Sequence, residues 1–512
     1  MRARLVLLVL PSLLFGQQRL DLLIRGGQVI DGSGSTARAA DVGIAGDRIV
    51  LVGDGSKAQA ARVIDARGLV VSPGFIDPHV HVLEDLSSAA KKSNEAYLFQ
   101  GVTTVVTGND GQGPIQTGAT LAKWKQQGIG TNAAVYIGQG TVRREVMGMS
   151  DAAASSEQVA KMKALVARGV EEGAMGMSTG LYYAPGSYAS TEEVIELAKA
   201  AAATGGIYDS HMRDEDTYSI GLLGSIREII RIAREAKIPV HISHIKALGP
   251  EAWGKSTAAI ELIRAARAEG LEVTADQYPY EASGSSVTAS LIPRWAEAGG
   301  NGALLARIGD PSVRPKLVHE MEENLKRRGG ADSLLIISGG DRSLIGKRLS
   351  EIAREKRVSP VEAALEIVKN GGAGVASFNM SETDIENFMR EDWVMTGSDG
   401  SEGHPRKYGT FARKVRVYVN EKKIVSLVSA VHSSSGLTAQ ALHFADRGVL
   451  REGYFADVIA FDAAAIADLA TYEHPDLPAT GVKYVVVNGK LAIDGGKYTG
   501  ALAGRALSRP PR

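Results

Sequence analysis

Two histidines stand two residues apart in Pro73-Gly74-Phe75-Ile76-Asp77-Pro78-His79-Val80-His81, shortly after the apolar run Leu69-Val70-Val71. In a strand, side chains at i and i+2 point the same way, so His79 and His81 can meet one cation through neutral ring nitrogens. Two surface histidines beside a turn would look the same, so the meaning of the pair depends on partners elsewhere. Metal-capable residues that follow other apolar runs are few. Asp110 comes after Val102-Thr103-Thr104-Val105-Val106, His211 after Ile207-Tyr208, and Asp399 after Trp393-Val394-Met395-Thr396. His244 ends Val240-His241-Ile242-Ser243-His244, with Lys246 on its parity. His241 has the opposite parity and is expected to pack against a helix. His404 is expected to stand behind Asp399. His319, His432, His443 and His474 have no strand before them. Four imidazoles and two carboxylates suit Zn²⁺ and admit Co, Mn or Fe.

Something must carry these residues to one point. From residue 74 onward, β-branched apolar runs alternate with helical patterns. Ser156 to Glu172 places Val159, Met162, Leu165, Val166 and Val170 on one face, and Ser190-Thr191-Glu192-Glu193 reads as a capping box. Buried strands alternating with helices over some hundreds of residues indicate an α/β fold, a parallel (β/α)₈ barrel of the TIM type, whose chemistry lies at the C-terminal ends of its strands. Residues 73–440 are assigned to it, with a helical insertion at about 288–332. Residues 18–72 and 441–505 share a texture of short apolar runs and glycine turns. They are expected to pair as one small β-sandwich, the first part antiparallel. The tail beyond about 505, with Pro510-Pro511, is expected to be disordered.

The chain has 512 residues, a formal net charge of zero and no cysteine. Balanced charge gives no footprint for nucleic acid or an anionic membrane surface. The absence of cysteine excludes disulfides and thiolate ligands. Met1-Arg2-Ala3-Arg4 followed by the apolar stretch Leu5 to Phe15 reads as an export signal over residues 1–17, which implies a periplasmic or extracellular protein with no membrane attachment once it is removed.

Gly74-Phe75-Ile76-Asp77-Pro78-His79-Val80-His81, Gly101-Val102-Thr103-Thr104-Val105-Val106-Thr107-Gly108-Asn109, His211-Met212-Arg213, Ser243-His244-Ile245-Lys246, Tyr278-Pro279-Tyr280, Gly397-Ser398-Asp399-Gly400 and His404-Pro405-Arg406 follow one another in an order that resembles the amidohydrolase superfamily. Within it, the chain is most similar to the N-acyl-D-amino-acid deacylases. That resemblance implies one metal position held by His79, His81 and Asp399 and another held by His211 and His244. It implies Lys246, Tyr280 and Arg406 as the grip on a substrate carboxylate, with Arg143 retained nearby, and Asp399 as general base and acid. The family carries a cysteine where this chain has Asp110, a harder ligand, and usually a histidine where it has Gln139. Zinc is the implied cofactor, with one or two divalent ions open.

The implied activity is hydrolysis of N-acyl-D-amino acids, small molecules bearing a carboxylate. A dihydroorotase- or hydantoinase-type cyclic amidase and a D-dipeptidase are the alternatives within catalysis, and a metal-free binding barrel is the alternative outside it.

Overall fold

The computed structural model describes residues 19–509. The export signal expected at 1–17 lies outside the described residues. Eight strands form the barrel: Phe75–Val80, Val102–Thr107, Asn132–Val135 continued by Ile137–Gly138, Gly176–Gly180, Ile207–His211, Val240–Ile242, Val273–Gln277 and Val394–Thr396. Consecutive strands pair in parallel from the first to the third and from Ile137–Gly138 to the eighth, and Tyr136 interrupts the third. The eighth returns to the first through Asp399 N–H donating to His79 O at 2.9 Å and His81 N–H donating to Gly400 O at 3.0 Å. Closure therefore joins two of the candidate site segments directly.

Amphipathic helices cover the barrel. In Ser156–Glu171, Met162, Val166 and Val170 face a core shared with Ile137 and Met177, and Ser155 opens it with a reciprocal capping box to Gln158. Ser190 caps Thr191–Ala203 through the Glu193 N–H. The carboxylate of Glu193 does not complete a box, because Arg143 captures it.

Nine strands from both chain ends form one continuous sheet beside the barrel. Val70–Pro73 pairs antiparallel with Val458–Phe461 at its centre, joining head to tail. The N-terminal part is not purely antiparallel: Leu20–Val29 runs parallel to both Ala60–Asp65 and Val70–Pro73. The tail departs from expectation up to residue 509. Arg505 O accepts from Ala133 N–H, Leu507 N–H donates to Ala133 O, and Arg509 N–H donates to Gly173 O, so the segment is laced to the barrel.

The insertion is larger than 288–332. Residues 278–393 separate the seventh and eighth barrel strands. They hold a three-stranded antiparallel sheet (Ala282–Ser286, Ala373–Phe378, Leu334–Gly339) as well as helices. Leu291, Leu317, Met321, Ile336, Ile352 and Val375 give this unit an apolar core of its own. One of its strands was hidden in sequence: Ala282-Ser283-Gly284-Ser285-Ser286 reads as a loop but sits on an edge, pairing with Ala373–Phe378.

Gly74 is the point where the terminal sheet passes into the first barrel strand. A Cβ there would collide with the Thr103 side chain of the second strand. Gly74→Ala is expected to destabilise the protein by about 1–3 kcal/mol, as overpacking does, read as a lower denaturant midpoint.

Candidate metal centre

The site is built at the C-terminal rim of the barrel. Asp110, His244 and Asp399 each follow a strand and each adopt the left-handed backbone region, with φ of 58°, 36° and 48°. Such conformations are strained for non-glycine residues and persist where surrounding structure enforces them, commonly at functional sites. Their effect is to turn each side chain inward just as the strand ends.

Asp110 is the hub. Its Oδ1 lies 3.4 Å from His79 Nε2 and 3.6 Å from His244 Nε2; its Oδ2 lies 3.5 Å from both His81 Nε2 and His211 Nδ1. Asp399 Oδ1 is 2.9 Å from His81 Nε2 and 3.6 Å from His79 Nε2, while its Oδ2 meets Arg406 Nη1 at 2.8 Å. All six candidate ligands thus converge. Donor atoms of His79, Asp110, His244 and Asp399 lie within 4.8 Å of one another, and His211, Glu215 and His244 form a second such group. His81 is in neither group but touches Asp110 and Asp399, members of the first.

The donors fit a cation by a test internal to the protein. Both ring nitrogens of His79 and of His211, and Asp110 Oδ1, are buried without a hydrogen-bond partner, an arrangement that a folded protein rarely leaves uncompensated. The electrostatics agree. Burial would lower His79, but Asp110, Asp276 and Asp399 overcome it and hold the imidazole at about 10. Burial and Lys246 oppose protonation of His244, yet Glu215, Asp399 and Asp110 raise it to about 9. Against burial, His79 and His211 hold Asp110 well below the usual carboxylate range, and Arg406 and His244 do the same for Asp399. Carboxylates able to keep protons on buried imidazoles are seeking positive charge, and a divalent ion displaces those protons on binding.

A second layer supports the first. Asp276 Oδ2 stands 2.8 Å from His241 Nε2 and 3.6 Å from His79 Nδ1. His241 therefore lies inside the barrel, also meeting Thr274 Oγ1 at 3.0 Å, and does not pack against a helix. The parity argument failed because the strand stops at Ile242 and the left-handed turn at His244 resets the alternation. His404 lies behind Arg406, whose backbone N–H donates to its Nδ1 at 3.2 Å.

Lys246 lines the cavity over the ligands. Its Nζ donates to Glu215 Oε1 at 2.6 Å and lies 2.8 Å from His244 Nδ1. Arg406 stacks over the ring of Tyr278 at 4.7 Å, and Tyr278 lines the same cavity. Tyr280 does not: its ring packs against His404 and under Arg413. Two residues of the same tripeptide diverge in the loop, and Tyr278 occupies the place expected of Tyr280. Arg143 is fully buried against Glu193 and the Ala152 carbonyl, away from the cavity, where it ties two helices together. Sequence reasoning also missed Glu215, four residues beyond His211, and Asp276. The available signal for Asp276 was a lone carboxylate inside the apolar strand Val273-Thr274-Ala275-Asp276.

Comparison with known proteins gives one picture. A model of the amidohydrolase family matches residues 62–493. The chain is 35% identical over 519 positions to D-aminoacylase of Alcaligenes xylosoxydans xylosoxydans, covering 96% of this chain and 98% of that protein. It is 35% identical to N-acyl-D-glutamate deacylase of the same organism, over 92% and 93% of the two chains. The solved structure of N-acyl-D-glutamate deacylase from Bordetella bronchiseptica, complexed with zinc and a phosphonate mimic of the tetrahedral intermediate, superposes with a TM-score of 0.82 at 30% identity, over 96% of this chain and all of that one.

Asp276→Asn removes the charge behind His79 without touching the cavity. Because partners of this kind orient metal-binding imidazoles, zinc affinity measured by competition with a chromogenic chelator is expected to fall roughly 10- to 100-fold, with the circular dichroism spectrum retained.

Proposed function

The chain belongs to the amidohydrolase family, and on that footing we propose that it is a metal-dependent hydrolase that cleaves N-acyl-D-amino acids to a D-amino acid and a carboxylate. The observation that carries this reading is Asp399, held between the imidazole cluster on one oxygen and Arg406 on the other. His79, His81, Asp110, His211, His244 and Asp399, with Glu215 added, are the residues that would hold one or two zinc ions. When bound, such an ion activates water and polarises the amide carbonyl.

The chain's own residues supply the rest. Lys246 lines the cavity and Arg406 stands behind Asp399, two cations both near the Tyr278 ring, and a free substrate carboxylate is the natural partner for such a pair. Anchoring that carboxylate places the adjacent amide over the histidine cluster. Asp399, kept ionised by Arg406 and His244, accepts a proton from the attacking water and returns it to the departing nitrogen. Burial of the cluster under Tyr182, Tyr183 and Tyr278 limits access by bulk water. Asp110 gives the centre a carboxylate where the resembling deacylases carry a thiolate, which favours harder ions than a sulfur ligand would.

The reading is tested with N-acetyl-D- and N-acetyl-L-amino acids on zinc-reconstituted and chelator-treated enzyme. Release of free D-amino acid that chelation abolishes and zinc restores is expected. Inert protein with no bound metal would instead indicate a binding barrel. Asp399→Asn is expected to lower kcat by about 10²–10⁴-fold, the usual weight of a general base, while keeping the native fold.

We also propose export, on the basic and apolar character of residues 1–17. Among the described residues no helix is long and apolar enough to cross a membrane. N-terminal sequencing of the protein recovered from an osmotic-shock or culture-medium fraction should begin near residue 18; a cell-retained chain starting at Met1 would refute it.

A further inference from the structure

The six candidate ligands come from two separate sheets. His79, His81 and Asp110 stand on or shortly after strands of a three-stranded sheet made of Phe75–Val80, Val102–Thr107 and Asn132–Val135. His211, His244 and Asp399 stand in the same way on the six-stranded sheet that runs from Ile137–Gly138 to Val394–Thr396. A centre assembled across two sheets needs one held against the other at the level of the donors. Where the eighth strand meets the first, the backbone does so. Across the interior only side chains can.

Barrels of this type are normally filled by layers of branched aliphatic side chains. Here the positions one or two before the ligands include Asp77, Asn109, Asp209 and Ser243, each fully buried. A polar layer in such a place is costly unless its members are partnered. Asp77 Oδ1 accepts from the N–H groups of Ser398 and His79 at 3.0 and 3.2 Å. Asn109 Nδ2 donates to Pro78 O at 3.1 Å and to Asp209 Oδ2 at 3.2 Å, and Ser243 Oγ donates to Asp209 Oδ1 at 2.9 Å.

Asp209 is the member that joins strands lying apart. Its strand, Ile207–His211, pairs with Gly176–Gly180 and Val240–Ile242, whereas Asn109 follows the second barrel strand, on the other sheet. One carboxylate oxygen therefore reaches across the interior, and the other grips the neighbouring strand. The residues so joined introduce three ligands. Asn109 precedes Asp110, Ser243 precedes His244, and Asp209 stands two before His211, where side chains of one strand share a face. Those three ligands meet one another: Asp110 lies 3.5 Å from His211 Nδ1 and 3.6 Å from His244 Nε2, and the two imidazole rings are 4.4 Å apart. The charge on Asp209 is kept at a cost, because burial, Asp276 and Asp110 all disfavour it and His241 and His79 offset this only in part. Its two hydrogen bonds are what the protein gains there.

We propose that Asp209 is a positioning residue of the metal centre: by bonding Asn109 with one oxygen and Ser243 with the other, it sets Asp110 against His211 and His244 and so fixes the metal position these three share. This rests on the metal-dependent reading above and adds to it a group that touches neither ion nor substrate.

The test titrates metal-free protein with Zn²⁺ and Co²⁺. Competition with a chromogenic chelator gives the number of ions and the affinity of each step, and the visible absorption of Co²⁺ reports the geometry. His211→Asn identifies the step that depends on the histidine pair. Asp209→Ala, which removes both hydrogen bonds, is expected to weaken that step roughly 10- to 100-fold and to shift its Co²⁺ absorption, with any other step as in wild type. Asp209→Asn is expected to restore both, because the Ser243 hydroxyl can turn to accept from the amide N–H while the amide oxygen accepts from Asn109. If circular dichroism shows Asp209→Ala to be unfolded, Ser243→Ala, which cuts one of the two bonds, is read in its place. Wild-type affinity in the alanine variant, an equal loss at a step that His211→Asn leaves intact, or an asparagine variant as weak as the alanine one would overturn the proposal and leave Asp209 a structural tie. A protein in which His211→Asn weakens no step refutes it as well. Wild type that takes up no ion fails the metal-dependent reading itself, and the positioning role falls with it.

Discussion

The structure depends on a concentration of negative charge that burial makes intolerable unless a cation answers it. Asp110 is 6% exposed and Asp399 is 5% exposed, with Asp276 beneath them and Glu215 beside them. Removing several carboxylates from water costs several kcal/mol each in the absence of compensation. The compensation is geometric: four imidazoles are held around Asp110, with Arg406 on Asp399 and Lys246 on Glu215. Unpartnered ring nitrogens on His79 and His211 show that hydrogen bonding within the protein does not finish the task. A metal centre is the arrangement in which every one of these donors has a use.

The fold holds that charge in place by making the ends of strands rigid and strained. Barrel closure runs through the backbone of His79, His81, Asp399 and Gly400, so the two segments that carry three of the six candidate ligands are hydrogen-bonded to each other. The first strand is in turn an extension of the terminal sheet: Gly74 N–H donates to Asp457 O in the segment that leads into Val458–Phe461. The sheet formed from both chain ends therefore has a mechanical role in the site, fixing the strand on which the His-x-His pair stands. Left-handed residues at the rim carry local strain that this framework offsets.

The insertion provides the cavity's outer wall. Tyr182 Oη donates to Ala289 O at 2.7 Å, and Arg328 holds Tyr182 and Tyr218 from the other side, so barrel loops and inserted unit meet through aromatic rings and guanidinium groups. Its separate apolar core means that the wall can vary without disturbing the ligands.

The amino-acid sequence alone determined the barrel, the terminal sheet and the six residues that converge at the metal centre. Each of those features is local: a β-branched run, a turn, a metal-capable side chain just after it. Tertiary structure decided what depends on where a side chain turns once regular alternation stops. It sent Tyr278 and not Tyr280 to the cavity, drew Arg143 away to Glu193, set His241 against Asp276, and built a sheet from a serine-rich stretch. It also placed Glu215 and Arg328 in one cavity, although they are more than a hundred residues apart in the chain. Local patterns follow from backbone periodicity, which a sequence displays. Partnerships between buried charges follow from who is nearest after folding, and a periodicity carries no record of that.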